Sequence, residues 1–253
     1  MIIAAIVQVL VCVLILRWLL KKKTGERFSK KTVVKFLVFG AIAVCLTYAV
    51  SFVLPIQRDT FFGMNPILCG FLTALITAAI LEELAKYLVF RLAIRKNAAV
   101  VTWLDAIIAA VIVAIGFTLL EDVAYLSGGS ILRAFVPAHL LFQTIMGYYY
   151  GKARVTKRAK YDVLSLVLPI LAHTAFDMFI IAEMSILGDQ SSLTGLTEES
   201  LKAMPNGNYL LPLAICIIAV FVITVVALIA AGRKIGRWSR NGEKQEALQE
   251  ASA

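Results

Sequence analysis

Apolar residues gather into seven long runs separated by short polar stretches, at roughly residues 2–20, 34–54, 65–90, 100–126, 131–150, 163–187 and 209–231. At 1.5 Å per residue each run is long enough to cross a hydrocarbon layer of ~30 Å, so the pattern predicts an all-α polytopic membrane protein with about seven transmembrane helices. The interruptions inside the runs matter most. Glu82, Glu83, Asp105, Glu121, Asp122, Asp177 and Glu183 lie within or at the ends of otherwise apolar stretches, as do both histidines, His139 and His173. An ionisable group in hydrocarbon is costly unless paired, hydrated or neutralised, so these side chains are expected to face a bundle interior or a wet cavity.

Composition strengthens the membrane assignment. With 60% hydrophobic and 16% charged residues among 253, and a mean hydropathy of +0.86, the chain lacks the charged surface that a soluble domain of this size requires. The formal net charge of +9 does not point to nucleic acid, because the basic residues sit in short loops and no nucleic-acid-binding motif accompanies them. Of the 25 Lys and Arg, 21 fall in the loops and flanks of one side (Arg17 to Lys35, Arg91 to Lys96, Lys152 to Lys160, Arg233 to Lys244); three (Arg58, Arg133, Lys202) fall on the other. By the positive-inside rule the amino terminus is expected outside and the carboxyl terminus in the cytoplasm. The first run has no charged segment before it and is followed by Lys21-Lys22-Lys23, which reads as a retained helix and not a cleaved signal. Cys12, Cys45, Cys69 and Cys216 have no metal-ligand spacing and are expected as free thiols. The whole chain, 1–253, reads as one transmembrane domain with a catalytic core at about 65–187, an external loop at 188–208 and a polar, disordered cytoplasmic tail at 232–253.

Candidate chemistry begins in Leu81-Glu82-Glu83-Leu84-Ala85-Lys86. On a helix Lys86 stands three and four residues from the two acids, so an ammonium meets at least one carboxylate on a shared stripe. Such a pair can simply clamp helices, but two acids with one base leave a charge surplus that clamping does not require, and a carboxyl in that position can serve as a general base. On the fifth run His139, Gln143 and Gly147 form one stripe, polar or small throughout; a lone histidine there is also a common helix–helix hydrogen-bond partner. On the sixth run His173 and Asp177 are one turn apart, with Pro169 loosening the backbone just before them. On the fourth, Glu121 and Tyr125 share a face. Counting 1.5 Å per residue from the middle of each run puts Glu82, His139 and His173 within roughly 4 Å of a common depth, whereas Glu121 lies roughly 12 Å towards the outer face. That makes Glu121 a gate, a supporting partner or a substrate contact.

At these residues the chain resembles the glutamic-type intramembrane endopeptidases of the CAAX protease and bacteriocin-processing group, and within it the PrsW-like and YhfC-like bacterial membrane peptidases. The resemblance rests on Glu82-Glu83-x-x-Lys86, Phe117-x-x-x-Glu121 with Tyr125, Phe135-x-x-x-His139 and His173-x-x-x-Asp177, in that order. Tyr87 stands where the prenyl-protein branch has an arginine, which argues against prenylated CAAX substrates. The resemblance implies a multi-pass protease of a bacterial inner membrane acting on a membrane protein or peptide. Glu82 and His139 would activate a water, Glu83 and Lys86 would tune Glu82, and His173 and Asp177 would stabilise the oxyanion, with no cofactor. Zn²⁺ held by Glu82, His139, His173 and Asp177 is the alternative within the class. Outside it, a proton- or ion-coupled transporter would use the same residue types, and a catalytically dead scaffold of the same fold would keep them.

Overall fold

In a bilayer every backbone polar group must be bonded within its own segment, and the helices follow the apolar runs accordingly. The structure, a computed structural model, describes residues 2–57, 59–127, 136–187 and 205–251. Its elements are α1 (Ile2–Lys22), α2 (Lys30–Val53), α3 (Pro66–Thr73), a π-helical segment (Ala74–Ala79), α4 (Ile80–Ile94), α5 (Trp103–Ser127), α6 (Ala138–Thr156), α7 (Ala159–Leu187), a 3₁₀ turn (Gly207–Tyr209) and α8 (Leu210–Ala251), with no strand among the described residues. Local chemistry sets several boundaries. Ser29 caps α2 by accepting from the Thr32 N–H, and Asn65 caps α3, with Pro66 in its first turn. Lys157, in the left-handed region at φ 55°, ends α6.

Five of these rods are long and apolar enough to cross a membrane: Lys30–Val53, Pro66–Ile94, Trp103–Glu121, Ala159–Leu187 and Gly207–Gly242. Helix α1 coincides with the first apolar run, whereas α6 begins at Ala138, well inside the fifth run, and continues past its end to Thr156. The outward faces are those of a lipid-exposed bundle. On α8, Leu211, Ile215, Ile218, Val222, Ile223, Val226 and Ile229 are all exposed.

The core is built around α5, where each residue from Ala106 to Ile115 is at most 3% exposed. Helices α2 and α6 lie against it, α7 packs on α6 and α3, and α8 packs on α7. Close approach depends on small residues, since in lipid the drive for helix association is van der Waals contact. A Cβ on Gly40 would run into the Val113 carbonyl of α5, and one on Gly116 into the Leu37 carbonyl of α2. Gly147 on α6 faces the Ile107 Cα at 2.6 Å from where its Cβ would stand.

The third run is not one regular helix. The Ile80 N–H bonds to the Leu75 carbonyl, five residues back, so one extra residue is accommodated in the turns just before Glu82. Pro169 lies inside α7 without ending it. The expected disordered tail is instead helical backbone, because α8 runs to Ala251. Its polar end is rich in Glu, Lys, Gln and Ala, which are good helix formers. Of the expected external loop, 188–204 lies outside the described residues.

Candidate active site

Four helices deliver their polar groups to one place. Glu82, Glu83 and Lys86 come from α4, Glu121 from α5, His139 and Gln143 from α6, and His173 and Asp177 from α7; all are buried, with Glu83, Lys86, Gln143 and His173 at 0% exposure. At the centre is the Lys86 ammonium. Its three N–H donors meet Glu83 Oε1 at 2.9 Å, Glu82 Oε2 at 3.2 Å and His139 Nδ1 at 3.0 Å. The same nitrogen lies over the Phe117 ring, 3.7 Å from the centroid.

The imidazoles are held just as closely. His139 Nε2 lies 2.6 Å from Glu121 Oε2. With Nδ1 accepting from Lys86, Nε2 is the protonated nitrogen and donates to Glu121. His173 stands between Glu83 Oε1 and Asp177 Oδ2, each 3.1 Å from a ring nitrogen, and its face stacks on Phe142 with centroids 4.9 Å apart. Gln143 Nε2 donates to Glu83 Oε2 at 2.9 Å. Glu83 is thereby fixed by an ammonium, an imidazole and an amide. Glu82 is less tightly held. Its Oε2 lies 3.9 Å from His173 Nε2 and 4.0 Å from His139 Nε2, beyond direct hydrogen bonding to either.

Glu82 and Glu121 reach the floor of a cavity of about 740 Å³, walled by Val44, Thr47, Tyr48 and Ser51 of α2 and by Gln57 and Asp59 beyond it. Behind the two histidines a second void, of about 10 Å³, is lined by Thr118, Phe142 and Phe176 among others. The Thr118 hydroxyl is buried with no partner among the described residues. The hydroxyls of Thr47, Thr77, Thr144 and Thr174 all bond to the carbonyl four residues back.

The residues singled out in the sequence therefore converge, with corrections. Glu121, placed roughly 12 Å towards the outer face by depth counting, is in direct contact with His139. The error lay in His139. Helix α6 starts at Ala138, so His139 sits in its first turn, roughly 12 Å from the helix midpoint and level with the far end of α5. The side chain of Tyr125 lies outside the described residues. Gln143, Phe117 and Phe142 were not expected as parts of the site. Gln143 was legible as the next step on the His139 stripe, and Phe117 as the leading residue of the Glu121 motif, but nothing local marks Phe142.

The donor set can hold a metal. One ligand atom from each of Glu82, Glu83, His139 and His173 lies within 4.8 Å of the others. Four carboxylates around a single ammonium also leave a negative surplus that a divalent cation would offset, and mixed imidazole and carboxylate ligands suit zinc-like ions.

Residues 29–197 match the PrsW family intramembrane metalloprotease profile. Protease PrsW of Bacillus subtilis (strain 168) is 34% identical over 122 residues, 45% of this chain and 56% of the relative. Protease PrsW of Geobacillus kaustophilus (strain HTA426) is 35% identical over 118 residues, 44% and 52% respectively. Protease PrsW of Clostridioides difficile (strain 630) is 27% identical over 177 residues, 64% and 73%. The chain thus spans a little over half the length of the first two relatives. No solved structure matches. The match narrows the resemblance drawn from the motifs, since the PrsW family is distinct from the CAAX-protease and bacteriocin-processing group and from the YhfC-like peptidases.

Proposed function

Because the chain belongs to the PrsW family of intramembrane metalloproteases, we propose that it is a multi-pass bacterial intramembrane endopeptidase, cleaving a membrane protein or peptide at the centre formed by Glu82, His139 and His173. One observation carries the reading. The buried Glu82 carboxylate stands about 4 Å from both Nε2 atoms at the floor of the 740 Å³ cavity. A water at ~2.8 Å from two such partners fits that gap. It would be oriented for attack with its proton directed to Glu82, the least constrained acid of the cluster. His139 is kept in one tautomer by Lys86 and Glu121, and His173, braced by Glu83 and Asp177, faces the developing oxyanion. Lys86, Glu83 and Gln143 act as positioning residues.

Glu82, His139 and His173, with Asp177 behind, would hold the metal ion that the family's description implies, each imidazole giving up a proton and a carboxylate hydrogen bond at Nε2 to present a lone pair. Such an ion, when bound, polarises the scissile carbonyl and lowers the pKa of its water towards neutrality. The carboxylate–histidine route without metal is the second reading. It is supported by the fixed positive charge of Lys86, only 3.0 Å from His139 and 3.2 Å from Glu82. All seven helical rods span the bilayer in this reading, with the amino terminus outside.

The test is cleavage of a co-expressed library of single-span substrates. Glu82→Gln and His139→Ala should each abolish proteolysis while leaving membrane insertion intact, and the double variant should be no worse than either alone, because residues acting as a unit are non-additive. Glu183→Gln, at the far end of α7, should retain activity. Substantial activity in Glu82→Gln would remove the proposal. The metal is tested separately. The expected outcome is inhibition by 1,10-phenanthroline, recovery with Zn²⁺ and about one equivalent of metal per purified chain, lost in His173→Ala. Chelator resistance without stoichiometric metal would assign the chemistry to the second reading.

A further inference from the structure

Far from the Glu–His cluster, at the end of the bundle where α1 and the apolar part of α8 both terminate, lies a cavity of about 670 Å³ lined by Trp18, Lys22, Gly232, Arg233, Gly236, Arg237 and Arg240. Four of its seven lining residues are cations and none is an acid. On α8, Arg233, Arg237 and Arg240 are four and seven residues apart, so the helix puts them on one stripe, where like charges repel. None of the four cations has an ion pair among the described residues, in contrast to Lys23, which is bonded to Asp105 at 2.8 Å. The next cation on α8, Lys234, faces elsewhere, over the rings of Trp238 and Tyr148 at 5.0 and 5.7 Å.

The room is structural as well as electrostatic. A Cβ on Gly232 would meet nothing closer than Trp18 Cη2 at 3.8 Å, and one on Gly236 nothing closer than Arg240 Nη1 at 3.8 Å. Glycines thus leave open the space that the arginines surround. Its depth is also defined. Leu20 of α1 and Ala231 of α8 end the apolar stretches, and Trp18 is a residue type that settles at the headgroup level.

We propose that this cavity binds the phosphate-bearing headgroup of an anionic phospholipid, holding α1 to α8 at the membrane surface. A phosphodiester supplies a counter-charge and accepts the paired N–H donors of arginine, and the lipid's acyl chains continue along the exposed apolar faces of the same two helices. Soluble phosphate would share the charge but not the apolar anchor.

The test uses the full chain, purified in detergent and titrated with phosphatidylglycerol or with phosphatidylcholine of the same acyl chains, bound lipid being counted by native mass spectrometry. Phosphatidylglycerol should bind preferentially. The joint replacement Arg233→Gln, Arg237→Gln and Arg240→Gln should weaken that binding on the order of a hundredfold, at roughly fivefold per basic residue lost. The same charge removed elsewhere, by Lys157→Gln, Arg158→Gln and Lys160→Gln together, should leave it unchanged. Gly232→Leu, which keeps every charge and fills the space, should also abolish the preference, and it serves if the triple variant fails to fold. Equal retention of the two lipids, unchanged binding in the arginine variant, or full binding in Gly232→Leu would overturn the proposal. So would displacement of the lipid by an equimolar amount of inorganic phosphate, which would mark a site for a soluble anion.

Discussion

Lys86 is the residue on which the cluster's electrostatics depend. It is completely buried, and each of its three donors is used by a different acceptor on α4 or α6. Removing one member of a buried ionic network leaves its partners charged and unpaired, at a cost of about 3–5 kcal/mol. Lys86→Met preserves much of the volume and should lower stability by about that amount in denaturant titrations in detergent, with proteolysis lost as well. Unchanged stability would mean that the carboxylates are balanced by something other than the ammonium. The adjacency of Glu82, Glu83 and Lys86 was legible because a helix dictates which residues share a stripe. The difference in how tightly the two acids are held was not. It arises because Gln143 and His173, from other helices, both reach Glu83 and leave Glu82 the freer.

At the scale of elements, the site depends on how closely helices approach and on the phase at which they present their faces. Gly116 lets α5 lie against the backbone of α2 while Phe117, its neighbour, reaches Lys86. Gly116→Leu should therefore cost about 1–3 kcal/mol or more in thermal unfolding and impair activity, because α5 must retreat and carry Phe117 and Glu121 with it. Gly232→Ala, facing open space, should not lower stability. The π-helical segment is the other element-level device. By accommodating one extra residue between α3 and Glu82, it lets α3 pack Gly70 against Met178 of α7 while α4 turns its acids inward. Hydrophobic periodicity alone shows only one continuous apolar helix there, because a π-turn differs from an α-turn by a single residue.

For the whole molecule, the charge asymmetry between loops makes a topological prediction. Reporter fusions after Lys35, Lys96, Lys160 and at the carboxyl terminus should read cytoplasmic, and those near Arg58, Ser127 and Leu193 external. An external carboxyl terminus would refute the seven-span arrangement. The same arrangement would place the cationic cavity between α1 and α8 at the cytoplasmic surface, where anionic headgroups are attracted to basic residues.

The all-helical membrane class of the molecule and most of the acids and histidines that it brings together were legible in the linear sequence. The reason is physical: a bilayer forces each segment to satisfy its own backbone and penalises every stray charge, so both constraints act locally and leave a local record. Helix offsets and the packing of one rod on another leave no such record. Only the tertiary structure placed His139 at the very start of α6 and so beside Glu121, brought Phe142 under His173, and opened the cavity above Glu82. Those features depend on glycine contacts, a π-turn and the point at which a helix begins, each of which acts through residues distant in the chain.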